Sequence, residues 1–146
     1  MKPAADDKPD DKPQVPACVV NAAVYNASGK LRDISLDEIS DVLANDDDSF
    51  VWVGVYEPED AVLDKLQEEF DLHDLAIEDA RNAHQRPKLE AYGDSLFIVV
   101  NTAQVIDERI SYGETHAFLG ARYLATVRHG ASLSYAPARA RVEREP

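Results

Sequence analysis

Phe50-Val-Trp-Val-Gly-Val-Tyr56 is an almost unbroken apolar run with polar residues on either side. A strand with one wet face alternates, whereas a strand that is apolar at nearly every position is covered on both faces. The run therefore predicts a central strand, and a central strand requires a layer above and below it. Helical periodicity supplies candidates for those layers. Before the run, Leu36, Ile39 and Leu43 mark a helix ending near Ala44, with Ser35 at the N-cap and Glu38 at the capping-box position. After it, Val62, Leu63, Leu66 and Phe70 line the core face of a second helix. Pro58 is expected just inside the start of that helix, among Glu57, Glu59 and Asp60. A third, short helix is predicted from Asp74 to Arg81. Pro87 stops further helix and forces Arg86 to extend.

Strands occupy the remainder. Ala17–Tyr25 and Lys30–Ile34 flank Asn26-Ala-Ser-Gly29 and read as a hairpin. Beyond Pro87, Lys88–Tyr92, Leu96–Ala103, Ile110–Phe118 and Tyr123–Val127 follow one another through tight turns at Gly93-Asp94 and Gly120, with no helix between. Such strands pair antiparallel. Ile110, Tyr112, Glu114, His116 and Phe118 share one face of theirs. The fold class expected is α/β (α+β), a mixed, mostly antiparallel sheet flanked by helices. With 146 residues the chain suits one core. That domain is expected over residues 17–146, after an Asp/Lys/Pro-rich tail over 1–16 that reads as disordered. Pro137 suits the first turn of a last helix through Arg139, Val142 and Glu145. Its pattern reaches the final residue without a C-cap signal, so the chain is expected to be cut from a longer protein.

Charge is unevenly spread. From Asp37 to Ala80 there are 16 acidic residues and one basic residue, Lys65, so this segment carries −15 against a net −13 for the whole chain. A nucleic-acid binder needs the opposite sign, and that class is set aside. A concentrated negative field attracts cations, although an acidic surface also serves solubility or a basic protein partner. The single cysteine, Cys18, excludes an internal disulfide, which fits a reducing compartment. Between apolar neighbours it reads as a buried small residue. No apolar run approaches the about 18 residues that span a bilayer, and the N-terminus has neither the hydrophobic stretch of a signal peptide nor an anchor.

No His-Glu-x-x-His, P-loop or Gly-x-Ser-x-Gly pattern is present, so no catalytic residue is assigned and no enzyme is expected. His116 reads as a packed or surface histidine and His129 as part of a turn before Gly130. Metal binding is the stronger chemistry. Asp71, Asp74, Glu78 and Asp79 crowd a short span, and Asp74 and Glu78 stand one helical turn apart. Oxygen-only donors suit Mg²⁺, which keeps several waters and takes one or two protein carboxylates. His73 and His84 flank the cluster but match no structural zinc spacing. Asp71 is also placed to cap the helix. Gln85, Arg86, Pro87 and Lys88 form a basic corner, suited either to an internal ion pair or to a neighbouring subunit.

The run from Asp71 to Val100 resembles the signature of the CorA family of magnesium transporters. The shared pattern is a Leu-His-(Pro)-Leu-x-x-Glu-Asp helix, then His-Gln-Arg-Pro-Lys-Leu/Val-Glu, a short acidic turn and Leu-Phe-Ile-Val. Asp74 departs from it where proline is usual, which puts the helix start in question. Milder resemblance runs from about Phe50 to Glu145, including Tyr135-Ala-Pro137. The resemblance implies an α/β/α sandwich of the CorA soluble-domain type. It implies a homopentameric channel, whose stalk helix, two transmembrane helices and Gly-Met-Asn loop all lie outside this sequence. It places the chain on the cytoplasmic face of a bacterial inner membrane. It implies that Glu78 and Asp79, with Asp74 and Asp71 as lesser candidates, hold a regulatory divalent cation, Mg²⁺ first, against the stalk of the next subunit. Bound metal would screen repelling carboxylates and keep the pore closed. A related zinc transporter and a soluble acidic interaction module are the alternatives.

Overall fold

The computed structural model describes residues 15–146. Apart from Val15 and Pro16, the tail expected to be disordered lies outside the described residues. In chain order the elements are β1 (Val19–Asn26), β2 (Gly29–Asp33), a 3₁₀ turn (Leu36–Glu38), α1 (Ile39–Asn45), β3 (Phe50–Tyr56), α2 (Asp60–Phe70), α3 (Asp74–Arg81), β4 (Lys88–Tyr92), β5 (Ser95–Ile106), β6 (Arg109–Leu119), β7 (Tyr123–Gly130) and α4 (Ala136–Arg144). The strands form one sheet in the order β2-β1-β3-β7-β6-β5-β4. Every neighbouring pair is antiparallel except β3 with β7, which run parallel. This is the mixed, mostly antiparallel α+β sheet expected from the sequence.

The apolar run is β3, third in the sheet and covered on both faces. Val51, Val53 and Val55, all 0% exposed, join Val62, Leu63, Leu66, Phe70, Ala76 and Ile77 in one core. Fully burying side chains of this size stabilises by roughly 1.5–3 kcal/mol each, which fixes α2 and α3 against this face. The alternate residue Trp52 and its diagonal neighbour Tyr25 on β1, ring centroids 6.4 Å apart, face the other way, where α4 lies. There the Tyr25 hydroxyl donates to Glu143 Oε1 at 3.0 Å, and the Arg139 guanidinium sits 5.9 Å from the Trp52 ring centroid. Burial first, and the Glu143 carboxylate second, push the Tyr25 phenol up to about 12. Helices therefore stand on both faces, giving α/β/α layers. On the β4–β7 half, no described element covers the α4 side, and Leu89, Leu96 and Val100 are 65%, 36% and 43% exposed.

Several boundaries differ from expectation for local reasons. The capping box forms, since Ser35 N–H donates to Glu38 Oε2 at 2.7 Å. It opens a 3₁₀ turn that becomes α-helical only at Ile39. Pro58 lies outside α2, whose N-cap is Glu59. Cys18 is partly exposed rather than buried, at the rim of the core. On β6, Ile110 and Tyr112 are 63% and 74% exposed, because β7 pairs with β6 only from Gly113 onward. The β5–β6 hairpin thus projects beyond the sheet as a two-stranded arm. It turns through Asp107 and Glu108, both at positive φ (49° and 62°), as a two-residue hairpin turn requires. Among the described residues no helix is long and apolar enough to cross a membrane.

Candidate functional site

The acidic residues singled out in the sequence collect around α3, which spans Asp74–Arg81 as expected. Asp74 begins the helix at the position where the resembling pattern has proline, so the departure leaves the helix start unmoved. A carboxylate suits the positive end of the helix dipole. Asp74 also accepts from Gln67 Nε2 at 2.6 Å. Asp71 does not cap α3. It ends α2 in the left-handed conformation (φ 54°), a role short polar residues tolerate. His73 is the cap: its Nδ1 accepts from Leu75 N–H at 3.2 Å, and its ring stacks on Tyr92 with centroids 4.2 Å apart. His84 is exposed, in a left-handed turn (φ 73°).

Glu78 and Asp79 lie toward the other end of the helix. Glu78 is exposed and, among the described residues, enters no ion pair. Asp79 is half-buried and bonded to the Lys88 ammonium, which also reaches Glu90 Oε1 at 2.9 Å. The hydrogen bond that Lys88 donates to Asp79, then that to Glu90, holds its ammonium above its usual range. The basic corner is therefore, at Lys88, an internal ion pair on this helix. Arg81 pairs with Asp60 and Asp64, tying α3 back to α2.

The four candidate carboxylates do not converge. Among the described residues no three His, Cys, Asp or Glu side chains form a group able to hold a metal ion. Glu78 and Asp79 remain as adjacent oxygen donors on one helix, one free and one shared with an ammonium. That set fits an ion that keeps most of its waters and takes one or two protein oxygens. It does not form a closed cage.

Sequence reasoning missed a buried polar cluster behind the end of α3. Glu114 and His116 face inward from β6, and His129 belongs to β7 rather than to a turn; they are 5%, 0% and 8% exposed. His116 Nε2 and Glu114 Oε1 are 2.8 Å apart. Gln85 N–H donates to Glu114 Oε2 at 3.2 Å. His129 Nε2 lies 2.9 Å from the Ala80 carbonyl oxygen. The shared parity of 114 and 116 on an alternating strand was the available signal.

A family model described as "CorA-like Mg2+ transporter protein" matches residues 47–145. A curated relative, "Putative metal ion transporter YfjQ" of Bacillus subtilis (strain 168), is 31% identical over 96 residues, covering 66% of this chain and 28% of its own. Among solved structures, that of the full-length CmaX protein superposes with a TM-score of 0.66 at 17% identity, over 86% of this chain and 39% of the other. The soluble domain of CorA from Methanocaldococcus jannaschii gives 0.56 at 16% identity, over 86% and 46%. The chain thus spans less than half the length of each of these proteins. At such identities the structural likeness shows the fold.

Proposed function

The chain belongs to the CorA-like Mg²⁺ transporter family, and from that premise we propose that it is the metal-sensing part of a divalent-cation channel, lying on the cytoplasmic face of the membrane. The full-length protein assembles as a homopentamer and enters the membrane through helices outside this sequence. The observation that carries the reading is the pair Glu78 and Asp79. It offers carboxylate oxygens on one helix without completing a site within one chain. A second subunit is the natural source of the remaining donors. Mg²⁺ fits best. His73, at the other end of α3, already uses Nδ1 on its helix cap, and among the described residues no histidine joins Glu78 and Asp79 in a group able to hold a metal, which weakens the case for zinc.

When bound, the ion would lower the repulsion between acidic surfaces of neighbouring subunits. For it to hold the pore closed, it must bind the closed arrangement better than the open one. Lys88 competes for Asp79, so the affinity is set low, as a sensor of abundant cytoplasmic Mg²⁺ requires. Asp79→Asn in the full-length protein is expected to raise the Mg²⁺ concentration needed for closure by about 5- to 10-fold, the low end of ordinary coupling energies. Lys88→Gln is expected to lower it. Flux in reconstituted vesicles and metal protection from proteolysis read both. Unchanged gating and protection in both variants would overturn the assignment.

A further inference from the structure

We propose that Glu114, His116 and His129 form a proton-operated clamp that holds the end of α3 and the following turn on the sheet. Two hydrogen bonds make the grip. His129 holds the Ala80 carbonyl, and Glu114 holds the Gln85 N–H. Behind them the His116 ring packs edge-on to Phe97 and to His129, with centroids 5.9 and 5.2 Å apart. Its Nε2 carries the proton shared with Glu114, since a carboxylate only accepts. Its Nδ1 is buried and, among the described residues, has no partner.

That orphan nitrogen makes the grip sensitive to protons. A neutral imidazole leaves only a lone pair unsatisfied. Protonation places an N–H donor and a charge where neither water nor an acceptor can reach them. The charged groups near it are Glu114 on β6, His129 on β7 and Asp79 on α3; Asp79 is paired with Lys88 on β4, and His129 Nδ1 lies 3.5 Å from Glu57 Oε2 in the turn after β3. Glu114 and, at longer range, Asp79 favour the imidazolium, while His129 opposes it. Burial outweighs them and holds His116 below its ordinary 6.5. The sign follows. Once opened, the cluster takes up a proton near pH 6.5, and closed it does not, so falling pH favours the open clamp.

The surroundings are built for a part that moves. A cavity of about 360 Å³ between Gln85, Asn101, Glu114 and His129 opens to solvent and admits water to the two gripping residues, with His116 beneath. His84, which lines it, and Glu57, which bonds to the lining residue Gly130, hold left-handed conformations (φ 73° and 44°), which persist only where the surroundings over-determine them. Glu57 is fixed through Gly130 N–H, which donates to its Oε1 at 2.6 Å.

Hydrogen exchange of the 146-residue chain, with chelator present and rates corrected for intrinsic pH dependence, tests the clamp without involving metal. A single linked proton gives about tenfold more opening at pH 5.5 than at pH 7.5. Amides of residues 78–86 should lose that much protection while those of 62–70 in α2 keep theirs. His116→Gln keeps a donor toward Glu114 and cannot titrate, so its protection should not change with pH. NMR of the His116 ring in the unaltered chain supplies a second measurement, which should show the Nε2-protonated tautomer persisting below pH 6.5. Uniform loss across both segments, loss that persists in His116→Gln, or a ring titrating at 6.5 with exchange unmoved would each overturn the proposal. The metal-sensing reading would survive any of these results, and the clamp would survive its failure.

Discussion

Replacing Phe97 with alanine is expected to lower the unfolding free energy of this domain by about 3–5 kcal/mol. Phe97 is 1% exposed and central to the β5 side of the core. Its ring lies against Phe118, with centroids 4.9 Å apart, and receives the edge of His116. The Lys88 ammonium stands 5.7 Å from its centroid. Truncation removes aromatic area and leaves a void that strands hydrogen-bonded on both sides cannot collapse to fill. A domain of this size has roughly 5–15 kcal/mol in total, so much of its stability goes at once. Urea unfolding followed by Trp52 fluorescence measures the change. A loss below about 1 kcal/mol with an unchanged denaturant slope would mean that this side of the core is not packed as described.

Glu114→Ala is the second large effect, roughly 2–5 kcal/mol. It strands the buried His116 ring N–H, and a buried donor without an acceptor costs about 1–3 kcal/mol; it also removes the acceptor of the part-buried Gln85 N–H and the packing of a side chain that is 5% exposed. Glu114→Gln keeps one carbonyl oxygen and should cost less. Equal losses would show that the carboxylate is not satisfying both donors. Thermal and urea unfolding at pH 7.5, where the clamp is closed, read the difference.

Much of this fold was legible because local chemistry and tertiary context agree. The unbroken apolar run became the two-sided strand β3, and Pro87 did separate the last helix of the first half from a train of antiparallel strands. Where they disagree, the sequence misleads. Gly130 suggested a turn and drew His129 into it. In the fold Gly130 closes β7 at φ 64°, and a Cβ there would stand 2.8 Å from the Tyr112 carbonyl oxygen. Period-two alternation placed Ile110 and Tyr112 on the correct side of β6, but alternation says nothing of whether a neighbour reaches far enough to cover them. The acidic cluster shows the converse. Spacing put Asp71, Asp74, Glu78 and Asp79 close together along the chain, and backbone geometry then assigned them separate tasks. The buried cluster was out of reach. It depends on Glu114 pairing with His129 across β6 and β7, and on the carbonyl of Ala80 from a remote helix.

The parallel pairing of β3 with β7 has a consequence for how the chain assembles. It joins Val51 to Tyr123, 72 positions apart, whereas the other strands meet partners nearby in sequence. Closing a longer loop costs more entropy before any contact repays it, so residues 17–56 and 88–130 are expected to organise as separate halves that this seam joins last. Helices α2 and α3 lie inside the loop it closes. Ala80 gains the His129 hydrogen bond only after the halves have met, and the helix bearing Glu78 and Asp79 is therefore the last to settle. In pulse-labelled refolding its amides should become protected after those of the β5–β6 hairpin; simultaneous protection would contradict this order.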